Sequence, residues 1–174
     1  TKSIFLVTNG QEPDMIQKLQ DEDALPTQLY LSTNAADYES FLKINKPKYD
    51  DSWERWNRTL DMLKNLDTRT VLRITLIRDY NDQKEMIPAF ADMFRKASPH
   101  FIEIKSYMHI GRSTNRLEHE NMLEMHEVKK FSEQIAKQSK IFSVMDESLV
   151  SRISILQNNE RFIDRYIPTY ANTN

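Results

Sequence analysis

Apolar runs of strand length alternate along this chain with stretches in which apolar residues recur every three or four positions. The short runs predict strands, and the longer period predicts amphipathic helices. Strands are predicted at residues 4–7, 28–32, 70–77, 101–107, 141–145 and 152–157. Helices are predicted at residues 13–20, 36–44, 51–66, 83–97 and 123–137, followed by an extended tail from residue 161. This alternation is typical of βαβ units, so we expect one α/β domain over residues 1–174 with a mainly parallel sheet.

The helix at residues 51–66 has the clearest pattern. Asp51 and Glu54 form a candidate capping box, in which each side chain would accept a hydrogen bond from a free backbone N–H of the first turn. The apolar residues form one stripe that consists of Trp53, Trp56, Leu60, Leu63 and Leu66. Because both tryptophans lie on this stripe, we interpret them as core residues and not as platforms for stacking bases.

Two predicted strands carry polar side chains on a face that is normally apolar in a central parallel strand. Side chains alternate along a strand, so Arg73 and Thr75 share one face of the third strand, and Glu103, Lys105 and Tyr107 share one face of the fourth. Burying unpaired charges costs roughly several kcal/mol each, so these groups must pair or line a wet cavity. A barrel lumen open at the carboxy-terminal strand ends fits this pattern. The alternative is an edge strand whose charges face solvent.

The composition of the chain excludes several kinds of functional site. The 174 residues include no cysteine, which excludes disulfides and thiolate metal sites within this sequence. Two glycines are too few for a glycine-rich phosphate loop, and the four histidines lack a metal-binding spacing. A net charge of −2 gives no overall basic field for nucleic acid, and no apolar run is long enough to cross a membrane. The chain opens on a strand without an initiator Met, so we expect that it was cut from a longer protein.

Four segments, in order, resemble one family of enzymes. They are FLVTNG at residues 5–10, PTQLYLS at 26–32, RITLIRDYND at 73–82 and FIEIKSYMHIG at 101–111, of which the last is the most specific. Residues 116–124 and 151–158 resemble the same family. The chain is thus similar to the second half of the radical S-adenosylmethionine (SAM) domain of tRNA 4-demethylwyosine synthases, from the first strand to about Arg161.

The resemblance implies a partial (βα) barrel, the carboxy-terminal half of a radical SAM TIM-like barrel with mainly parallel strands. Members of the family bind 4Fe-4S clusters, one of them through a CxxxCxxC loop, and cleave SAM reductively. As radical SAM lyases of wybutosine biosynthesis, they convert N1-methylguanosine in tRNA-Phe to 4-demethylwyosine with carbons from pyruvate. The cluster cysteines, and a lysine proposed to form a Schiff base with pyruvate, would precede Thr1. We therefore expect the chain alone to bind no cofactor and to be inactive, and the parent enzyme to be cytoplasmic, without membrane contact.

Four residues at strand ends match positions that approach SAM or substrate in the family. Thr8 and Asn9 match a strand-end TNG or SNG, although a plain turn is an equal alternative. Ser32 matches a strand-end serine that contacts SAM in related enzymes. The family pattern there is SLDA, so Asn34 replaces an acid.

The predicted lumen residues have substrate-binding interpretations. Arg73 could hold the SAM carboxylate or a tRNA phosphate bidentately, or form a structural ion pair with Glu103. Thr75 and Glu103 would face the same lumen. Lys105 is the catalytic candidate, because a lumen lysine could bind a carboxylate such as pyruvate or carry Schiff-base chemistry. We prefer binding, since the family's proposed Schiff-base lysine lies upstream.

The loop after the fourth strand supplies the remaining candidates. Tyr107 and His109 continue from that strand into the barrel mouth and could contact SAM or substrate, although a lone histidine is more often structural. Arg112, Arg116 and Arg152 could bind tRNA phosphates, although surface arginines are common.

Two other functions stay open. A non-catalytic module would bind tRNA or a protein partner through Arg112, Arg116 and the tail. A different (βα) enzyme would use Glu103 and Lys105 as an acid–base pair, but it would not explain the ordered family segments. A half barrel also exposes a strand edge and an inner face, so we expect self-association.

Overall fold

The fold is built on one six-stranded sheet, seen in a computed structural model that describes residues 3–167. The strands lie in the order β1-β2-β3-β4-β6-β5, and the first four are parallel. β6 runs antiparallel to both β4 and β5. The strands are β1 (Phe5–Thr8), β2 (Gln28–Thr33), β3 (Arg69–Leu76), β4 (Phe101–Ser106), β5 (Phe142–Ser148) and β6 (Ile153–Asn158). The predicted mainly parallel sheet is confirmed, and the antiparallel pair at its end is an addition.

Five α-helices cover the outer face of the sheet. They are α1 (Pro13–Asp21), α2 (Tyr38–Asn45), α3 (Ser52–Met62), α4 (Ile87–Ala97) and α5 (Met125–Ser139). Short 3-10 turns lie at Leu63–Asn65, Lys84–Met86, Gly111–Asn115 and His119–Asn121. The outward side chains of β3 and β4 are fully buried beneath these helices, because alternation places every second residue on that apolar face: Leu72, Ile74, Leu76, Ile102 and Ile104. Among residues 3–167, no helix is both long and apolar enough to cross a membrane.

The start of α3 differs from the prediction. The apolar stripe is confirmed at Trp56 and Leu60, which are buried. The capping box is wrong, because the Asp51 side chain makes no cap hydrogen bond. It accepts instead from Nε of Arg55, one turn along, at 2.8 Å. The amino-terminal N–H groups of α3 are therefore left without a side-chain cap.

β1 forms one edge of the sheet, and its inner-face side chains are uncovered. Phe5 and Val7 pair in register with Gln28 and Tyr30, which places them on the inner face of the sheet. They are 54% and 52% exposed. An apolar edge strand of this kind is a template for pairing with further polypeptide.

The tail crosses the amino-terminal edge of the parallel strands. The guanidinium of Arg69, at the start of β3, donates to the carbonyls of Asp164, Arg165 and Tyr166. The Gln157 side-chain amide donates to the Ile163 carbonyl at 2.8 Å. The tail was predicted to be extended; residues 161–167 contain bends and no regular structure, and residues 168–174 lie outside the described part of the chain.

Candidate functional site

The polar faces of β3 and β4 meet in an ion pair. Arg73 lies beside Glu103 in the register; its Nε donates to Oε1 at 2.7 Å and its Nη2 donates to Oε2 at 3.4 Å. Glu103 is only 7% exposed, so little water competes for this carboxylate. The ion pair is the alternative that the sequence left open for Arg73. Because Arg73 holds the carboxylate, Glu103 is not a free acid–base partner for Lys105.

Tyr30 completes this inner-face cluster, which we define as Tyr30, Arg73 and Glu103. The guanidinium carbon of Arg73 lies 4.4 Å from the centre of the Tyr30 ring, a cation–π distance. The Gln28 side-chain amide donates to the Tyr30 hydroxyl at 2.7 Å. Burial, together with the negative charge of Glu103, raises the pKa of Tyr30. Tyr30 was not predicted, although Gln28, Tyr30 and Ser32 alternate on β2 as the polar residues do on β3.

Lys105 lies two residues beyond Glu103 on the same face of β4. Its neighbours in the register are Thr75 of β3 and Ile153 of β6, so it stands near the carboxy-terminal ends of the parallel strands. Both Lys105 and Thr75 are half-buried. A half-buried ammonium on the inner face suits a small carboxylate ligand.

A pocket of about 630 Å³ lies at the carboxy-terminal ends of β1 and β2, and we call it the mouth pocket. It brings together four residues that the sequence placed in three different segments: Asn9, Ser32, Asn34 and Arg116. The loop from α2 to the first turn of α3 forms its opposite wall, between Lys46 and Ser52. The carboxy-terminal edge is where (βα) barrels bind their ligands.

Gly10 shapes the β1 side of this pocket. It has a φ of +74°, a conformation that favours glycine, and a Cβ built there would lie 2.7 Å from Cδ1 of Leu31, so that side chain would have to shift. Its carbonyl accepts from the Thr59 hydroxyl at 2.8 Å, which ties the turn to α3. The hydroxyl of Thr8 accepts from the Gly10 N–H, and the Asn9 amide oxygen accepts from the Gln11 N–H. Thr8 thus stabilises the turn, whereas Asn9 stabilises the turn and also lines the pocket.

Asn34 and Asn81 lock the ends of β2 and β3 together. The Asn34 side-chain oxygen accepts from the Thr75 N–H at 3.2 Å, and its carbonyl accepts from the Asn81 side chain at 2.9 Å. Asn81 also donates to the Thr75 carbonyl and accepts from the Ile77 N–H. Asn81 was not predicted as a site residue; its position in the turn after a strand was the available signal. The Asn34 amide also donates to Oδ1 of Asn45 at 3.3 Å, which an ionised acid at this position could not do.

The loop after β4 forms the rim of the mouth. The Tyr107 ring is buried in a small apolar cluster that includes Ile77 and Leu117. Its hydroxyl lies 3.2 Å from Nδ1 of His109 and donates to the Ser113 hydroxyl at 3.1 Å. The structure thus gives Tyr107 and His109 a part in holding this loop in place.

The three predicted phosphate-binding arginines lie in different settings. Arg112 and Arg116 are exposed on the loop after β4, and Arg116 reaches the mouth pocket. Arg152 instead joins β6 to the start of α5; it donates to the Leu123 carbonyl at 3.1 Å and lies 3.2 Å from the Glu124 carboxylate. Arg152 therefore makes structural contacts with Leu123 and Glu124.

The residues present differ in how well they fit the cofactors that the family resemblance implies. The sequence has no cysteine, and no group of three His, Asp or Glu side chains within residues 3–167 could hold a metal ion. An iron–sulfur cluster needs several thiolate ligands, so these residues do not fit one. The amides and hydroxyl of Asn9, Ser32 and Asn34 are suitable partners for the ribose and amino-acid groups of SAM.

Comparisons with known proteins point to one group. A family model described as wyosine base formation matches residues 96–158. S-adenosyl-L-methionine-dependent tRNA 4-demethylwyosine synthases from Methanocaldococcus jannaschii and Pyrococcus abyssi are 41% and 37% identical over 92% and 90% of this chain. A solved structure of TYW1 with a lysine-pyruvate adduct bound is 40% identical, with a TM-score of 0.79 over 91% of this chain.

The chain spans about half the length of these relatives. It covers 48% and 45% of the two synthases and 48% of the TYW1 chain in the solved structure. The structural match confirms the predicted fold class, a partial (βα) barrel.

Proposed function

This chain belongs, over about half of its relatives' length, to the tRNA 4-demethylwyosine synthase family, and we propose that it forms the carboxy-terminal half of a radical SAM barrel in such an enzyme. The proposed reaction converts N1-methylguanosine in tRNA-Phe to 4-demethylwyosine with pyruvate. The proposed class is a radical SAM lyase. The cysteines for its iron–sulfur clusters would lie outside these 174 residues, so the chain alone would be inactive.

One observation carries this proposal beyond sequence similarity. Arg73 and Glu103 meet on an inner face whose flanking edge strand, β1, exposes Phe5 and Val7. Large apolar side chains exposed on an edge strand, beside a partly buried ion pair, indicate that further polypeptide covers that face. Additional barrel strands against β1 would bury these side chains and enclose the polar lumen.

The residues have distinct proposed roles. The inner-face cluster fixes the charge distribution of the lumen, since Arg73 is held by both Glu103 and Tyr30. Lys105 binds the pyruvate carboxylate, in a family of which one relative was solved with a lysine-pyruvate adduct. Asn9, Ser32 and Asn34 orient SAM, which supplies the radical chemistry when bound.

The test is product formation by the complete protein that carries this sequence. Anaerobically reconstituted protein would be incubated with SAM, pyruvate and tRNA-Phe containing N1-methylguanosine, and the nucleosides would be identified by mass spectrometry. We expect 4-demethylwyosine. Tight binding of tRNA-Phe without any product would overturn the proposal and favour the binding module.

Lys105→Met tests the pyruvate role within the same assay. Removing the ammonium should raise the KM for pyruvate by about tenfold, the usual effect of losing one charge-assisted contact, with kcat changed less. The matched control is Lys64→Met, at an exposed lysine beyond the end of α3. An unchanged KM for pyruvate would contradict the role of Lys105.

The open edge of β1 also supports self-association of the 174-residue chain. Two copies that pair their exposed edges would cover Phe5 and Val7. We expect a dimer in sedimentation velocity and its loss in Val7→Lys; a monomer at high concentration would contradict this proposal.

A further inference from the structure

Two buried polar atoms in the mouth pocket have no hydrogen-bond partner in the described part of the chain. Among residues 3–167, four buried side-chain atoms make no hydrogen bond, and two of them, the Ser52 hydroxyl and Oε1 of Gln11, belong to residues that line this pocket. Ser52 is 1% exposed. Leaving such groups unsatisfied costs about 1–3 kcal/mol each, so their presence together in one pocket indicates a ligand that completes them.

The orientation of the Gln11 amide is fixed by its neighbour. Nε2 of Gln11 donates to the Ser52 carbonyl at 3.0 Å, and a carbonyl can only accept. Oε1 is therefore the free atom, and it needs a donor from the ligand. The Ser52 hydroxyl, in contrast, can donate to a ligand oxygen. A ligand that satisfies both atoms must therefore contain one hydrogen-bond donor and one acceptor.

The amino terminus of α3 adds a preference for negative charge. Ser52 is the first residue of this 11-residue helix, and no side chain caps it. The free N–H groups of a first turn carry about half a positive charge and bind phosphate or carboxylate oxygens. An uncapped helix end beside an unpartnered hydroxyl is suited to an anionic group.

The charged side chains of the pocket reinforce this preference. Lys46, Lys48 and Arg116 line it together with one acid, Glu12. Arg55 lies 3.9 Å from the Glu12 carboxylate and 2.8 Å from that of Asp51, so it offsets the negative charge beside the helix end. The pocket therefore favours an anion.

We propose that the Gln11–Ser52 side of the mouth pocket binds one ribose-phosphate unit of an RNA backbone, next to the SAM-orienting side formed by Asn9, Ser32 and Asn34. The phosphate accepts from the Ser52 hydroxyl and the first turn of α3, and a ribose hydroxyl donates to Oε1 of Gln11. SAM fits this part of the pocket less well, because it has no phosphate and its sulfonium and ammonium groups outweigh its carboxylate. This inference rests on the proposed function, since tRNA is the RNA that we expect there.

The test compares RNA and DNA binding. A fluorescein-labelled anticodon stem-loop of tRNA-Phe and the deoxy stem-loop of the same sequence would be titrated with the 174-residue chain and followed by anisotropy. Gln11→Leu should weaken RNA binding by about 3–10-fold with little change for DNA, because only RNA has the 2′-hydroxyl. Ser52→Ala should weaken both by a similar factor.

Charge removal gives a second readout. Lys48→Gln should weaken binding of both nucleic acids and reduce the slope of log affinity against log salt by about one. Lys64→Gln, which removes an exposed charge outside the pocket, is the matched control. A melting temperature near that of the wild type would show that each variant folds.

Two results would overturn the inference. One is an RNA-to-DNA affinity ratio that Gln11→Leu leaves unchanged; the other is displacement of the RNA by S-adenosylhomocysteine that Gln11→Leu and Ser52→Ala weaken, which would assign the Gln11–Ser52 side of the pocket to SAM. The outcomes also separate the two proposals. If the wild-type protein makes 4-demethylwyosine and these variants retain RNA affinity, only the RNA site in the mouth pocket is contradicted. Variants that lose RNA affinity, with no product from the wild type, would sink only the proposed reaction.

Discussion

Two sets of buried polar groups, one at each end of the parallel strands, are satisfied differently. At the amino-terminal edge, Asn158 is fully buried and its side chain makes four hydrogen bonds within the protein. At the carboxy-terminal ends of the strands, the Ser52 hydroxyl and Oε1 of the Gln11 side chain make none within the described residues. We call the first set, around Asn158, the closed edge, because its hydrogen bonds stabilise the fold. The unpaired groups of Ser52 and Gln11 are instead available to a ligand.

The closed edge depends on the tail. Nδ2 of Asn158 donates to the Pro99 carbonyl at 2.9 Å, and its Oδ1 accepts from the Glu160 and Arg161 N–H groups. Arg161 in turn donates to the Ser98 carbonyl. The end of β6, the tail and the loop before β4 are thus joined through one side chain.

Asn158→Ala should have the largest effect on stability. It leaves the buried Pro99 carbonyl and the part-buried N–H groups of Glu160 and Arg161 without this partner, and we expect the free energy of unfolding to fall by about 2–4 kcal/mol. Urea unfolding followed by circular dichroism measures this change. Asn65→Ala, at an exposed position, is the control and should change stability by less than about 0.5 kcal/mol. Equal effects of the two substitutions would break the contrast between the edges.

His100 should make the closed edge sensitive to acid. Burial, together with the positive charges of Arg161 and Arg69, lowers the pKa of His100 to about 4, and the Thr70 N–H donates to its Nδ1 at 3.1 Å. The unfolded chain, in which the ordinary pKa of 6.5 applies, binds more protons between these values. Stability should therefore be complete above about pH 6.5 and fall as the pH drops toward 4, by an amount that solvent screening of the half-buried ring reduces.

His100→Asn isolates this contribution. Asparagine keeps an acceptor for the Thr70 N–H but does not titrate, so the variant should lose less stability between pH 7 and pH 4.5 than the wild type. Urea unfolding at the two pH values measures the difference, and carboxylates that titrate in both proteins cancel. Identical losses in the two proteins would show that His100 does not carry the effect.

Ser52→Ala should have the smallest effect on stability. The hydroxyl makes no hydrogen bond within residues 3–167, so we expect a change within about 0.5 kcal/mol or a slight gain. Ser132→Ala is the matched comparison, because that buried hydroxyl donates to the Val128 carbonyl at 2.8 Å and its loss should cost about 0.5–1.5 kcal/mol. A larger loss for Ser52 than for Ser132 would mean that the Ser52 hydroxyl already has a hydrogen-bond partner within the protein.

The inner face of the sheet could be predicted because two local rules determine it. Alternation places Arg73 and Glu103 on one face of their strands, and parallel pairing of β3 and β4 brings them together. The antiparallel pairing of β5 and β6 could also be predicted, from the length of the connection between them. Only residues 149–152 separate β5 from β6, whereas a parallel crossover needs a dozen or more residues.

Other features depend on tertiary contacts that no local pattern records. Asp51 and Glu54 have the spacing of a capping box, but Arg55 competes for the Asp51 carboxylate from one turn away. The tail has no hydrophobic period, and its position follows from the carbonyls that Arg69 binds. Whether the Ser52 hydroxyl has a partner depends on the packing of three loops, so it is visible only in three dimensions.

Amide hydrogen exchange can show whether a ligand binds at the carboxy-terminal ends of the parallel strands. Exchange would be measured by mass spectrometry for the 174-residue chain with and without the anticodon stem-loop RNA. We predict slower exchange at residues 9–11 and 46–53, around the mouth pocket, with no change at residues 98–101 and 158–163. Protection confined to the amino-terminal edge, or none at the mouth pocket when the RNA is bound, would contradict the account.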